Sequence, residues 1–294
     1  MELYKGPFFL SLAAAIWGGM YVVSKFALGL VPPFTLLALR YVIASLFLGI
    51  ICLIRGELRF PRTHVGLVVQ VGLVGYFVSI AAQFIGTDLS SAHLGAVVTT
   101  LSPLFLSLFA LLLFKEKLSW RQGLATLGAL AGVLIMLGGP GETSGGLVGG
   151  LVLLVAAVTW GYYSALSRQA SRYYTPLQLT TLGLWIATLV TLPTAWFIES
   201  SAWHPQVILS PPVIWSVLYL GLISTALAFF LWNRGLQLTP AHQAGVFFFF
   251  QPLVGCLLGW AILGETLTIW FLLGSLLVLA GVYINLREEQ QPGS

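Results

Sequence analysis

The chain has 294 residues, of which 58% are hydrophobic and only 7% carry a charge. Because soluble proteins carry about 25% charged residues, this composition excludes a soluble protein and predicts an integral membrane protein without a soluble domain. The formal net charge of +4 is small, and we expect no nucleic-acid partner.

Ten segments are each near the roughly 20 apolar residues that a membrane-spanning helix needs. Pro32-Pro33 separates the first two, and Ser90-Ser91 and Thr239-Pro240 are helix N-cap signals before the fourth and ninth. The first segment has no convincing cleavage site, so we expect it to be retained. The sequence lacks the alternating ten-residue strands of a membrane β-barrel. The predicted fold is therefore all-α, with transmembrane helices at 8–30, 34–54, 64–86, 91–114, 119–138, 147–168, 177–198, 212–234, 240–263 and 268–286.

The basic residues predict the orientation of these helices. With a cytoplasmic N-terminus, the inner segments hold all Lys and Arg residues except Lys25 and Arg40. Cytoplasmic loops of membrane proteins are enriched in Lys and Arg, so we expect both termini inside (N-in/C-in). We expect a multi-pass protein of the inner (plasma) membrane.

The sequence repeats itself once. GTDLSSAHLGAVVTTLSPL at 86–104 matches GLQLTPAHQAGVFFFFQPL at 235–253 with a spacing of 149 residues. Trp17-Gly18 recurs as Trp160-Gly161 with a spacing of 143, because the loop at 199–212 is longer than its partner at 55–63. Each copy holds five helices, and an odd number turns the second copy upside down. We therefore predict two inverted-topology repeats, 1–142 and 143–294, an architecture of secondary transporters.

The order and duplication of these motifs resemble the EamA branch of the drug/metabolite transporter superfamily. The turns Glu116-Lys117-Leu118-Ser119 and Glu265-Thr266-Leu267-Thr268 look like the family's turns before the fifth and tenth helices. Residues 96–104 and 244–253 are similar to its Ala-x-x-x-x-Leu-x-Pro-Leu pattern, and the tryptophan-rich sequence is most similar to the YddG-type exporters of aromatic and other amino acids. The resemblance implies a central cavity, alternating access and export of amino acids or related small metabolites.

Two prolines, Pro103 and Pro252, lie near the middle of the fourth and ninth helices. Each frees a backbone carbonyl four residues earlier, and unpaired backbone in a membrane is tolerated only where protein or a water-filled cavity covers it. The alternatives are a packing kink and a hinge that lines a cavity, and both can hold. We treat the two prolines as candidate hinges.

Trp17 and Trp160 lie about midway along the first and sixth helices, although tryptophan prefers the membrane interface. They line a cavity or pack on Gly18 and Gly161. In the phenylalanine run at 247–250, at least one ring, Phe248 or Phe249, is expected to face the cavity beside Gln251. The predicted substrate site combines aromatic and polar intramembrane residues: Trp17, Tyr21, Tyr76, Gln83, Thr100, Trp160, Tyr163, Trp232, Phe248, Phe249 and Gln251.

The remaining polar residues have structural alternatives. Lys25 and Arg40 either snorkel to the outer headgroups or form a positive rim that attracts a substrate carboxylate. His93 and His242 are helix-end residues, and Glu116 and Glu265 complement helix dipoles. The pair Gly128/Gly132 predicts a helix contact. No Asp or Glu lies in the middle of a predicted helix, although ion-driven carriers usually place one there. This absence favours a uniport-like carrier.

The main prediction is an exporter of amino acids, including bulky or aromatic ones, that is no enzyme and needs neither a cofactor, a metal nor an oligomer. A nucleotide-sugar or phosphate-ester exchanger of the same superfamily is the first alternative, but only Lys25 and Arg40 could supply its cavity cations. A membrane enzyme acting on lipid is the second, and only Asp88 and His93 could form its catalytic cluster.

Overall fold

The computed structural model describes residues 5–58, 61, 64–115, 119–138, 144–238 and 245–288. Every regular element within these ranges is a helix, as membrane-spanning backbone requires. Nine of the described helices are long and apolar enough to cross a membrane, and a shorter apolar helix covers Phe247–Leu263. The predicted all-α fold is confirmed, and the N-in/C-in orientation stays a prediction.

Each copy of the repeat contributes five helices, whose ends lie within a few residues of the predicted positions. The first copy contains α1 (Lys5–Leu28), α2 (Pro33–Ile54), α3 (Val65–Leu89), α4 (Ala92–Phe114) and α5 (Trp120–Gly138). The second contains α6 (Ser144–Ala170), α7 (Pro176–Glu199), α8 (211–238), α9 (245–263) and α10 (Ile269–Glu288). Two short helices, Ser200–Ala202 and Pro205–Ile208, connect α7 to α8.

Four of the helices depart from α geometry at equivalent places in the two copies. The third helix of each copy contains a π-helical stretch, Val71–Ser79 in α3 and Tyr219–Leu227 in α8. The fourth helix of each copy contains a 3₁₀ turn, Thr99–Leu101 in α4 and Gly245–Phe249 in α9. Pro103 lies two residues after the end of its 3₁₀ turn and Pro252 three residues after the end of its own, so the helix is wound more tightly just before each candidate hinge.

Consecutive spans alternate in direction, which defines two faces. The terminal face carries the start of α1 and the end of α10, and the opposite face carries the α1–α2, α3–α4, α7–α8 and α9–α10 connections. Carboxylates complete helix N-termini at the opposite face: Glu199 accepts from the backbone N–H groups of Phe34 and Thr35 on α2. At the terminal face, the Thr175 hydroxyl at the start of α7 donates to Glu57.

The packing of the helices has the same twofold pattern. In the first copy α1 packs on α8 and α9, and in the second copy α6 packs on the equivalent helices α3 and α4. The pairs α2–α7 and α5–α10 join equivalent helices of the two copies. Glycine permits the closest approaches: a Cβ at Gly18 would lie 2.5 Å from the Gln251 carbonyl oxygen, and one at Gly161 would lie 2.5 Å from Phe105 Cβ.

Some predicted features fall outside the described residues. They are the turn residues Glu116, Lys117 and Leu118, the N-cap signal Thr239-Pro240, and His242. The residues at the equivalent positions of the other repeat lie within the described ranges; they are Ser91, His93 and Glu265.

Candidate functional site

A cavity lies at the centre of the bundle, where helices of both repeats meet. Side chains from α1, α2, α3, α4, α6, α8 and α9 line it. Its volume is about 50 Å³, whereas ligand pockets usually have roughly 300–1,000 Å³. In this conformation the cavity is too tight for an amino acid, and a bound substrate requires the helices to separate.

The lining is built largely from equivalent positions of the two repeats. The first-copy and second-copy members of each pair are separated by the repeat spacing of 143 residues for the first helices or 149 for the others. The pairs are Trp17 with Trp160, Tyr76 with Thr225, Ile80 with Phe229, Thr99 with Phe248, and Ser102 with Gln251. The symmetry that relates the two copies therefore passes through the cavity.

Most of the sequence-predicted site residues meet at this cavity. Those that line it are Trp17, Tyr21, Tyr76, Gln83, Trp160, Phe248 and Gln251. Two more predicted residues stand behind this layer and support it. The Tyr163 hydroxyl lies 3.0 Å from that of Tyr76, and the Trp232 ring packs against Trp17 and Phe248 at centroid distances of 5.3 and 4.6 Å.

Two predicted residues, Thr100 and Phe249, do not line the cavity. The Thr100 hydroxyl is buried and donates to the Ala96 carbonyl at 2.7 Å, while Phe249 packs against an apolar cluster that includes α5 and α10. Both residues lie in 3₁₀ turns, where the side chain that faces the cavity is the preceding one, Thr99 or Phe248.

Hydrogen bonds fix the orientation of several lining side chains. The Trp17 indole Nε1 donates to the Ser224 carbonyl in the π-helical stretch of α8 at 3.0 Å, which supplies the partner that a mid-membrane tryptophan needs. The Thr99 hydroxyl donates to the Gly95 carbonyl, so it accepts from the Tyr21 hydroxyl at 2.5 Å. Thr99 also accepts from Gln251 Nε2 at 3.2 Å. This contact ties α9 to α4.

The structure places Arg40 in the cavity lining, and only 3% of its surface is exposed. The alternative in which it snorkels to the headgroups is therefore wrong. Its Nε donates to the Thr225 hydroxyl at 3.0 Å, and its guanidinium carbon lies 5.6 Å from the centroid of the Phe84 ring. Lys25, by contrast, is absent from the described cavity lining, and its Nζ donates to the Asp88 carbonyl at 2.6 Å.

Ten of the seventeen described lining residues were not among the predicted site residues, and Phe229 and Thr225 are two of them. The Phe229 ring is central to the aromatic cluster, with centroid distances of 5.5 Å to Trp17 and 6.3 Å to both Tyr76 and Trp160. The repeat spacing could have found Thr225, because it is the equivalent of the predicted residue Tyr76. Phe229 is equivalent to Ile80, which was not a predicted site residue. The residues around Phe229 in the sequence also gave no signal that it lines a cavity.

A larger crevice of about 760 Å³ lies between α2, α7 and α8. Arg55, Glu57 and Thr175 line it, which places its mouth at the terminal face. Phe229 lines both this crevice and the central cavity, so it lies between the two.

The Asp88–His93 couple considered for an enzyme does not form. His93 Nδ1 lies 2.7 Å from Glu265 Oε2, and the Ala92 and His93 backbone amides also donate to this carboxylate. Burial raises the pKa of Glu265, but these hydrogen bonds outweigh it and leave the pKa below its ordinary value. Within the described ranges, no three His, Cys, Asp or Glu side chains are grouped as a metal site.

Comparisons with known proteins agree on one class. The model of the "EamA-like transporter family" matches residues 4–138 and 147–287. An uncharacterized transporter of Bacillus subtilis (strain 168), YetK, is 28% identical over 96% of this chain and 87% of its own length. A Salmonella typhimurium protein named "probable amino-acid metabolite efflux pump" is 26% identical over 96% of this chain and 94% of its own. A crystal structure at 24% identity and a TM-score of 0.68 covers 98% of this chain and 99% of its own, and this likeness concerns the fold.

Proposed function

This chain belongs to the EamA-like transporter family, and we propose that it exports amino acids, bulky and aromatic ones included, and related metabolites across the inner membrane. The observation that carries the proposal is the central cavity, whose described lining combines aromatic rings of both repeats with the buried guanidinium of Arg40. A substrate with an apolar body and a charged end complements such a lining. The name of the Salmonella relative, an amino-acid metabolite efflux pump, supports the same class.

The proposed mechanism is alternating access by two inverted repeats. Five helices in each copy reverse the orientation of the second copy, and equivalent residues of the two copies line the cavity. In our proposal, the copies rock about the cavity, with the 3₁₀ turns before Pro103 and Pro252 as hinges. The Phe229 ring is the proposed barrier towards the terminal face, and its displacement would join the cavity to the crevice.

The alternatives receive less support from the cavity. A phosphate-ester or nucleotide-sugar exchanger needs several cations around its substrate, and Arg40 is the only Lys or Arg side chain among the described residues that line the cavity. An enzyme acting on lipid needs a free acid–base pair at one face, and His93 is occupied by the helix-capping carboxylate of Glu265. We therefore propose a transporter without catalytic activity, in which a resident cofactor has no role and oligomerisation is not required.

The direct test is counterflow in liposomes containing purified protein. Vesicles loaded with unlabelled L-tryptophan, L-phenylalanine or L-leucine are expected to accumulate the labelled amino acid from outside without an imposed ion gradient. Protein-free vesicles and a Trp17→Ala/Trp160→Ala double variant serve as controls and are expected to show little uptake. Failure of every amino acid to move, together with product formation from the lipid, would contradict the proposal.

A further inference from the structure

We propose that Arg40 and Gln83 form a subsite for the substrate carboxylate, and that the site does not require an α-ammonium group. This inference rests on the proposed function and narrows its substrate class. The cargo is a bulky or aromatic monocarboxylate, which includes amino acids and also their deaminated analogues.

The first observation is a pair of unsatisfied donors in one cavity. Arg40 Nη1 and Gln83 Nε2 are buried and have no hydrogen-bond partner among the described residues. Both residues line the central cavity and expose only 3% and 6% of their surfaces. Buried donors without acceptors are costly, and nearly all buried polar groups in proteins are paired. An acceptor that enters the cavity would satisfy both.

The second observation is the orientation of the guanidinium. Arg40 Nε is held by the Thr225 hydroxyl, which itself donates to the Leu220 carbonyl at 2.7 Å inside the π-helical stretch of α8. The ring of Phe84, the neighbour of Gln83, packs beside the guanidinium carbon. These contacts fix one edge of the guanidinium fork and leave Nη1 unbonded. A fixed fork binds a carboxylate with directed hydrogen bonds, which a flexible ammonium group provides less well.

The third observation concerns charge. A positive charge inside a membrane is expensive unless an anion accompanies it. No Asp or Glu side chain is among the described residues that line the cavity, so the protein supplies no counter-ion there. The aromatic lining accommodates the apolar body of the substrate, and the carboxylate neutralises Arg40.

The absence of acidic side chains from the described lining also explains why the site does not require an ammonium group on the substrate. A substrate amine would need an acidic side chain, or free acceptors, to replace its water. One acceptor of the lining, the Thr99 hydroxyl, already receives bonds from Tyr21 and Gln251. Because the described lining holds the charged Arg40 and no acidic side chain, the cavity favours acids over amines, and it discriminates only weakly between an amino acid and its deaminated acid.

The experiment measures competition for binding of labelled L-phenylalanine to the full-length protein. The competitors are 3-phenylpropionate, which lacks the amine, and 2-phenylethylamine, which lacks the carboxylate. For the wild type we expect 3-phenylpropionate to compete within roughly tenfold of unlabelled L-phenylalanine, and the amine to fail. Arg40→Gln is expected to weaken L-phenylalanine binding roughly tenfold or more and to abolish the preference for the acid over the amine. Arg40→Lys is expected to retain part of the affinity and part of this preference.

Each result decides between the hypotheses. If the wild type neither binds nor moves any amino acid, the proposed function fails, and the inference that rests on it fails too. If L-phenylalanine binds but the amine competes as well as the acid, only the inference fails. Unchanged affinity and selectivity in a well-folded Arg40→Gln protein also overturn it. Should that variant not fold, the wild-type competition still decides, and Thr225→Val, which releases the guanidinium edge, is expected to reduce the preference for the acid.

Discussion

Trp17 and Trp160 occupy equivalent positions in the two repeats but have different attachments. The Trp17 indole N–H is bonded to the Ser224 carbonyl of α8, whereas the described residues offer the Trp160 indole N–H no such bond. Trp160 instead packs its ring on Tyr163 at a centroid distance of 4.7 Å. The two tryptophans therefore contribute differently to stability.

Phenylalanine in place of each tryptophan separates the hydrogen bond from ring packing. We expect Trp17→Phe to cost about 1 kcal/mol more than Trp160→Phe, because it leaves a buried carbonyl without its donor. Thermal unfolding of the two variants in the same detergent measures the difference. Equal midpoints would mean that the Ser224 bond contributes nothing to stability.

The Glu265 carboxylate predicts how stability depends on pH. Its pKa is lower in the folded protein than in the unfolded chain, where it is about 4.3. The carboxylate therefore stabilises the folded protein fully above the unfolded-state pKa, and this stabilisation is lost as the pH falls through the folded-state pKa. We expect Glu265→Gln to unfold at a lower temperature than the wild type at pH 7, and the gap to narrow below about pH 4. Unfolding midpoints between pH 3 and pH 7 test this, and parallel curves would contradict it.

The residues of the site were only partly predictable. Mid-membrane tryptophan and the repeat pointed to Trp17 and Trp160, and the unusual phenylalanine run pointed to Phe248. Thr100 and Phe249 were chosen because they lie near the candidate hinge prolines, but both stand in 3₁₀ turns whose winding directs Thr99 and Phe248 to the cavity instead. Arg40 was ambiguous because its depth along a helix does not say which way it points, and neighbouring helices decide that.

At the scale of whole helices, only one glycine of the predicted Gly128/Gly132 pair lies where α5 contacts α10. A Cβ at Gly132 would lie 2.6 Å from the Gly274 carbonyl oxygen, whereas a Cβ at Gly128 would have no neighbour within 4 Å. Both residues lie in the same helix and would undergo the same chemical change.

This pair provides a matched test of helix packing. We expect Gly132→Ala to lower the unfolding midpoint, because the added methyl group forces two backbones apart. Gly128→Ala is expected to have no effect or to stabilise slightly, since alanine favours helix over glycine by up to about 1 kcal/mol. Melting curves of both variants decide, and equal losses would show that backbone approach is not the cause.

The ten helices could be predicted because their length and apolarity are properties of the sequence alone. The π-helical stretches and 3₁₀ turns could not, because which carbonyl an amide bonds depends on neighbouring helices. Tyr219, at the start of the π-helical stretch of α8, shows this dependence: its hydroxyl donates to the Ile16 carbonyl on α1 at 2.9 Å. No local pattern reveals that contact.

For the whole molecule, the predicted orientation can be tested with two matched substitutions. Ser171 lies at the terminal face and Ser201 at the opposite face, and both are exposed. In a background without Cys52 and Cys256, we expect a membrane-impermeant maleimide to label Ser201→Cys in intact cells and Ser171→Cys only after lysis. The reverse pattern would place both termini outside.

The guanidinium of Arg40 in the cavity also has an electrical consequence. If access alternates as proposed, Arg40 stays at one depth and no ion is co-transported, the only charge that crosses the membrane is that of the cargo. A zwitterionic amino acid then crosses with no electrical work, and its own gradient drives it. A deaminated acid carries one negative charge outward, and a membrane potential of 100 mV, negative inside, contributes about 2.3 kcal/mol to its export. One carrier without ion coupling would thus serve a voltage-independent cargo and a voltage-driven one.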